Sequence, residues 1–160
     1  MLTCRGGERK FLADAALGRL ARYLRMLGYD VEYLRDADGP AALRETLRSG
    51  RTLLTRRRDL AGREDVEVFL VEDDRVMAQV AATARRFSLE FTANAMTRCI
   101  ECNVILEPAT KEEVRTKLPP HVEKTQDTFA RCPACGRVYW PGTHYARAVA
   151  RLLSVLRESR

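Results

Sequence analysis

Two cysteine pairs with the same spacing, Cys99-Ile-Glu-Cys102 and Cys132-Pro-Ala-Cys135, are the residues of this chain best suited to chemistry. Each C-x-x-C offers two sulfurs from one tight turn, and zinc asks for four thiolate or imidazole ligands in a tetrahedron. The pairs stand 29 residues apart, which suits a ribbon with an inserted loop. Asn103 and Gly136, just after the pairs, are residues a tight turn accepts. Cys99, Cys102, Cys132 and Cys135 are therefore predicted to bind one structural zinc ion. Two copies of the motif in one short segment point to metal rather than to a redox dithiol. Four cysteines fill the shell, so His121 and His144 are not needed as ligands, and Cys4 remains a free thiol without a role.

A second chemistry needs hard oxygens. Magnesium and manganese favour carboxylates, and metal-dependent phosphodiester hydrolysis gathers several of them at one site. Asp14, Asp36, Asp38, Asp59, Glu72, Asp73 and Asp74 all lie at or shortly after an expected strand end. Each also has a plainer use. Asp14 can cap the helix it precedes. Asp36 and Asp38 suit a turn, Asp59 a solvated charge, and Glu72-Asp73-Asp74 a helix start. Their shared position is a stronger signal than any one of them.

The elements that must position these residues alternate. Lys10 to Ala13 reads as a short buried strand. Leucines at 17, 20, 24 and 27 then form the stripe of an amphipathic helix with arginines on its other face, stopped by Gly28. Strands follow at 31–34, 52–55 and 66–71, with helices at 41–48 and 75–87. Asp36 to Pro40 reads as a turn, and Gly50 as a helix stop. Strands alternating with helices make a mostly parallel sheet, whose functional residues collect beyond the carboxyl ends of its strands. The pattern breaks near Asn94. The expected organisation is an α/β domain over 8–95, a zinc ribbon over 96–150 and a helical tail over 151–160.

Composition sets bounds. The 160 residues are 46% hydrophobic and 31% charged, ordinary for a globular chain that buries its own core. There is no run of about 18 apolar residues to cross a membrane, and the N-terminus lacks a secretory signal's apolar core. A cytoplasmic setting, where thiols stay reduced, is expected. The net charge of +6 permits attraction to phosphate backbones without proving it. Of the 28 basic residues 24 are arginine, which suits bidentate phosphate contacts but also follows from a GC-rich coding sequence.

The motifs together resemble one family. Phe11-Leu-Ala-Asp14, Leu17 to Asp30, Asp36-Ala-Asp38 and Leu54-Thr55-Arg56 are similar to the Mut-seven C-terminal RNase domain. So are Arg98 to Asn103, Lys111 to Val114, Pro119-Pro120, Arg131 to Trp140 and Gly142 to Tyr145. The resemblance implies a PIN-like nuclease fold followed by a zinc ribbon. It also implies a metal-dependent ribonuclease acting through strand-end carboxylates, and Asp14, Asp36 and Asp38 match its pattern. Asp59 is a further catalytic candidate, magnesium or manganese the expected catalytic ion, and single-stranded RNA the expected partner.

One departure bears on that activity. The family reads Thr-Arg-Asp-Arg after the third strand, and this chain reads Thr55-Arg56-Arg57-Arg58-Asp59. Arg57 stands where a carboxylate is expected. Asp59 is two residues on, about 200° around a helix, and is no simple replacement. The pocket of a non-catalytic RNA-binding or scaffold protein would look the same. Arg19, Arg56, Arg57 and Arg58 are candidate contacts to substrate phosphate. Tyr139, Trp140 and Tyr145 lie near Arg131, Arg137 and Arg147. They suit stacking on unpaired bases and, equally, packing of a thin ribbon core.

Overall fold

The computed structural model describes residues 9–91 and 95–159. The break near Asn94 and the free thiol Cys4 lie outside the described residues. Four strands form a parallel sheet: β1 (Lys10–Ala13), β2 (Asp30–Tyr33), β3 (Thr52–Thr55) and β4 (Val68–Leu70), in the order β2-β1-β3-β4. All four carboxyl ends therefore share one edge. The helices are α1 (Gly18–Met26), α2 (Gly39–Ser49), α3 (Val76–Phe87) and α6 (Thr143–Glu158). Phe11, Ala13 and Leu54 face a core shared with Leu17, Leu20 and Leu24, with Val80 of α3 and with Leu152 and Leu156 of α6. Leu12 and Leu53 face the other way, against Ala42 of α2 and Leu60. Burial on both faces explains why β1 and β3 are continuous apolar runs rather than alternating ones.

The glycines at 28 and 50 close their helices as expected, both at positive φ. The start of α2 differs from expectation. Asp38 caps the helix by accepting from the Ala41 amide at 2.8 Å, so Gly39-Pro40 belong to its first turn rather than to a preceding loop. Proline tolerates that position because the amide it lacks would be unpaired there anyway.

The second sheet is antiparallel: β5 (Glu107–Ala109), β6 (Phe129–Arg131) and β7 (Val138–Tyr139). The stretch between the cysteine pairs is structured, with β5, α4 (Lys111–Val114) and α5 (Pro120–Thr125). A capping box between Thr110 and Glu113 starts α4. Val114, Val122 and Phe129 form a small core of their own, against which Trp140 packs. The expected boundary between 150 and 151 falls inside α6, which packs against α3 on the first sheet. Among the described residues no helix is long and apolar enough to cross a membrane.

Arg25 breaks the expected pattern of α1. It does not share the solvent face with Arg19 and Arg22; it is 4% exposed. Its guanidinium donates twice to Val31 O of β2, at 2.9 and 2.8 Å. It also donates to Ile100 O at 2.7 Å and Glu101 O at 2.9 Å, inside the first cysteine turn. Beside it, Asn103 accepts from the Val31 amide at 3.0 Å and donates to Asp30 Oδ1 at 2.6 Å. β2 is an edge strand, and these side chains satisfy the backbone groups it turns outward. Arg51 bonds Asp30 bidentately at 2.8 and 3.1 Å. Burial would raise the Asp30 pKa, but the bonds from Arg51 and Asn103 and nearby positive charge hold it below the ordinary carboxylate value.

Arg25→Met keeps the aliphatic stem and strands three carbonyls, Val31 O buried and Ile100 O and Glu101 O half-buried. It should lower folding stability by about 3 kcal/mol, the scale for losing charged hydrogen bonds at a buried site. Denaturant unfolding of the metal-loaded chain measures this.

Candidate functional site

The two cysteine turns are built alike. Asn103 N donates to Cys99 O at 3.0 Å and Gly136 N to Cys132 O at 2.9 Å. Cys102 N points at Cys99 Sγ at 3.4 Å, and Cys135 N at Cys132 Sγ at 3.5 Å. Asn103 and Gly136 both adopt positive φ, 65° and 70°, to close the turns. The four sulfurs lie within 4.8 Å of one another. A tetrahedral zinc at ~2.3 Å from each sulfur would hold them ~3.8 Å apart, and Cys99 Sγ and Cys135 Sγ are 3.8 Å apart. The donor set fits zinc. Neither histidine belongs to the cluster.

The sulfurs are prepared for a cation. Burial works against ionisation of Cys99, but hydrogen bonds from the Tyr139 hydroxyl and the turn amides outweigh it and bring its pKa down to about 7. The Tyr139 hydroxyl lies 3.1 Å from Cys99 Sγ and accepts from Ile100 N at 3.3 Å. Tyr139 is thereby tied to the metal turn, a role its position among arginines did not reveal. Cys102 is pushed up to about 12, by its bond with Cys135, by burial and by the charge on Cys99. Without a metal the cluster resists a second ionisation; a divalent ion removes that conflict. Glu101, between the ligands, pairs with Arg22 at 3.0 Å.

The acidic residues lie on the carboxyl edge, where the parallel topology puts them. Asp14 stands between β1 and β3, the point at which the strand order reverses and open α/β sheets bind ligands. It is 5% exposed. One oxygen accepts from Ala16 N at 3.0 Å; the other accepts from Thr55 Oγ1 at 2.5 Å and Arg56 N at 3.2 Å. Capping and fixation at the switch point thus coexist in one carboxylate. Asp36 is exposed, with no hydrogen bond or ion pair among the described residues. Asp38 is exposed and caps α2. Glu72 and Asp74 pair with Arg58 and Arg56, and Asp73 accepts from Arg75 N at 2.8 Å.

The carboxylates are not gathered as the sulfurs are. Among the described residues the four cysteines are the only group of three or more candidate ligands close enough to hold one ion. Between the acids lies Arg57. Its guanidinium bonds Asp59 at 3.3 and 2.9 Å. A Cβ added to Gly39, the residue after Asp38, would stand 3.0 Å from the Arg57 guanidinium carbon. The bond and charge of Asp59, with the charges of Asp14 and Asp38, raise the Arg57 pKa. Arg57 lowers that of Asp59 in return. A fixed positive charge therefore sits in the acidic edge. Arg56, Arg57 and Arg58 each have a carboxylate partner, whereas Arg19 is exposed and unpaired among the described residues.

Elemental analysis of protein prepared without added metal should find one zinc per chain. Cys132→Ser should lower both zinc content and thermal midpoint. Zinc should leave as pH falls, because protons compete for the thiolates. A folded ribbon free of transition metal would contradict the assignment.

No curated protein and no solved structure matches the chain. A family model described as "Mut7-C RNAse domain" matches residues 9–152, spanning the parallel sheet, both cysteine turns and the first ten residues of α6. The chain belongs to the Mut7-C RNAse domain family.

Proposed function

We propose that the chain is a ribonuclease that hydrolyses single-stranded RNA at the carboxyl edge of its parallel sheet. The observation that carries this is Asp14, a carboxylate held by three donors at the sheet's switch point in a member of an RNase family. Asp36 and Asp38 are the further catalytic carboxylates we assign, with Asp59 beside them. Their hard oxygens suit magnesium or manganese, and Asp14 keeps lone pairs beyond those its donors use. Such an ion, when bound, supplies charge neutralisation and an activated water. The chain's own contributions are separate. Thr55 and the Arg56 amide fix the Asp14 carboxylate, and the arginines of the β3–β4 loop attract the phosphate chain. Thiols reserved for metal suit a reducing compartment such as the cytoplasm.

Arg57 favours a second function, RNA binding without cleavage. Its charge lies against Asp38 and Asp59 and opposes a cation there. One experiment separates the two. The purified chain is incubated with single-stranded RNA, with manganese or with chelator. Cleavage that needs manganese supports the enzyme; binding without cleavage supports the second function.

Asp14→Asn preserves shape and removes the charge. It should reduce manganese-dependent cleavage by about 100-fold or more, the scale of losing one preorganised electrostatic contact. Full activity in this variant would remove Asp14 from the site.

Arg57→Asp should tighten manganese binding several-fold and raise cleavage if the guanidinium excludes the ion. If Arg57 holds substrate phosphate, the same change should weaken RNA binding. Parallel metal and RNA titrations measure both, and no change in either would make Arg57 an ordinary surface residue.

A further inference from the structure

A groove of about 820 Å³ opens between the end of α1, the ribbon sheet and the first turn of α6. Its lining is unusual in three ways. The chain's only tryptophan, Trp140, and both of its histidines, His121 and His144, line it, together with Tyr139 and Tyr145. None of its described lining residues is acidic, in a chain with 22 aspartates and glutamates, and Arg98 is on its wall. Most of the rest is aliphatic. The volume lies high in the range that buries a drug-sized molecule, with room for more than one nucleobase.

We propose that this groove receives unpaired bases of an RNA strand, which stack on its aromatic side chains while the backbone stays outside. The inference rests on RNA being the substrate at the carboxyl edge, and it adds a second contact that would make the substrate single-stranded. Flat apolar faces recognise any base by stacking, and only unpaired bases can leave a helix to be stacked. The absence of carboxylates removes the repulsion that would otherwise exclude a polyanion. An apolar peptide would satisfy the volume but gains nothing from the missing acids.

The geometry of α1 links the two sites. The helix starts at Gly18, just after Asp14, and ends at Met26 on the groove wall. Nine residues at 1.5 Å each span about 13 Å. At the ~3.4 Å rise of a stacked strand that is at most about four nucleotides, and fewer for an unstacked one. Arg19 and Arg22, one turn apart on the exposed face of α1, lie along the way. The unpaired Arg19 thereby acquires a use as a contact to phosphate between the sites.

Trp140 is a single built-in reporter. The zinc-loaded full chain is titrated with a single-stranded oligoadenylate of about ten nucleotides, a length typical of single-strand sites. Its duplex with oligouridylate and inorganic polyphosphate are titrated separately. Saturable quenching of Trp140 by the single strand, little by the duplex and none by polyphosphate is expected. Tyr145 is 42% exposed, so Tyr145→Ala should fold normally and bind the single strand about tenfold more weakly, the scale of one lost stacking contact. Oligoadenylate that binds both proteins equally and leaves Trp140 unchanged would overturn the groove assignment while leaving the carboxyl edge intact. A response of Trp140 to an apolar peptide but not to RNA would overturn it in favour of a protein ligand. Failure of the native chain to bind any RNA would overturn both.

Discussion

The buried guanidinium of Arg25 is the interaction on which the rest of this structure leans. Burial lowers its pKa, and the negative charges of Cys99 and Glu101 oppose that effect. A buried charge is tolerable only when its donors are met, and here four bonds reach three carbonyls. Two of those carbonyls belong to the cysteine turn and one to β2. The cysteine turn therefore completes the open edge of the parallel sheet, where an exposed strand would otherwise invite pairing with another chain. Asn103 closes the same edge from its αL position, which the turn geometry requires.

That clasp ties two regions together that the sequence separates. β2 leads directly into Asp36 and Asp38, so the strand whose edge the cysteine turn covers also delivers two of the acids. On the opposite side of Asp14, β3 delivers Thr55 and the arginine run. The parallel sheet supplies the shared edge; local chemistry then decides what the edge can do. Asp14 is fixed by hydrogen bonds, whereas Asp36 is unpartnered among the described residues and Arg57 neutralises its neighbours. Under the proposed function, the choice between hydrolysis and plain RNA binding at this edge rests on one guanidinium.

Much of this was legible in the sequence. β1 and β3 could be read because double-sided burial makes short apolar runs, and α1 because its leucines repeat at helical spacing. The cysteine turns announced themselves by spacing. Other features were hidden for physical reasons. Arg25 lies one turn from buried Ala21 on the flank of the leucine stripe, and only the tertiary partners Val31, Ile100 and Glu101 make its burial affordable. Gly39-Pro40 looked like a turn because the Asp38 cap that draws them into α2 depends on the backbone approach to that helix. The continuity of α6 was masked by the aromatic and glycine-rich stretch before it. The sequence marked Tyr139, Trp140 and Tyr145 as suited to stacking, but not the groove they line, since its walls come from α1, the ribbon and α6. The gathering of both histidines and the lone tryptophan there has no signature in spacing.

Amide hydrogen exchange at Val31 is the most direct test of the central claim, that the first cysteine turn, held by zinc, completes the edge of the parallel sheet. Val31 N has Asn103 as its partner and, among the described residues, no neighbouring strand on that side. In the zinc-loaded chain its amide should exchange slowly, like those of the central strands. Removal of zinc by a chelator should make Val31 exchange fast while the amides of β1 and β3 stay protected. Fast exchange at Val31 with zinc bound, or protection that survives its removal, would contradict the account.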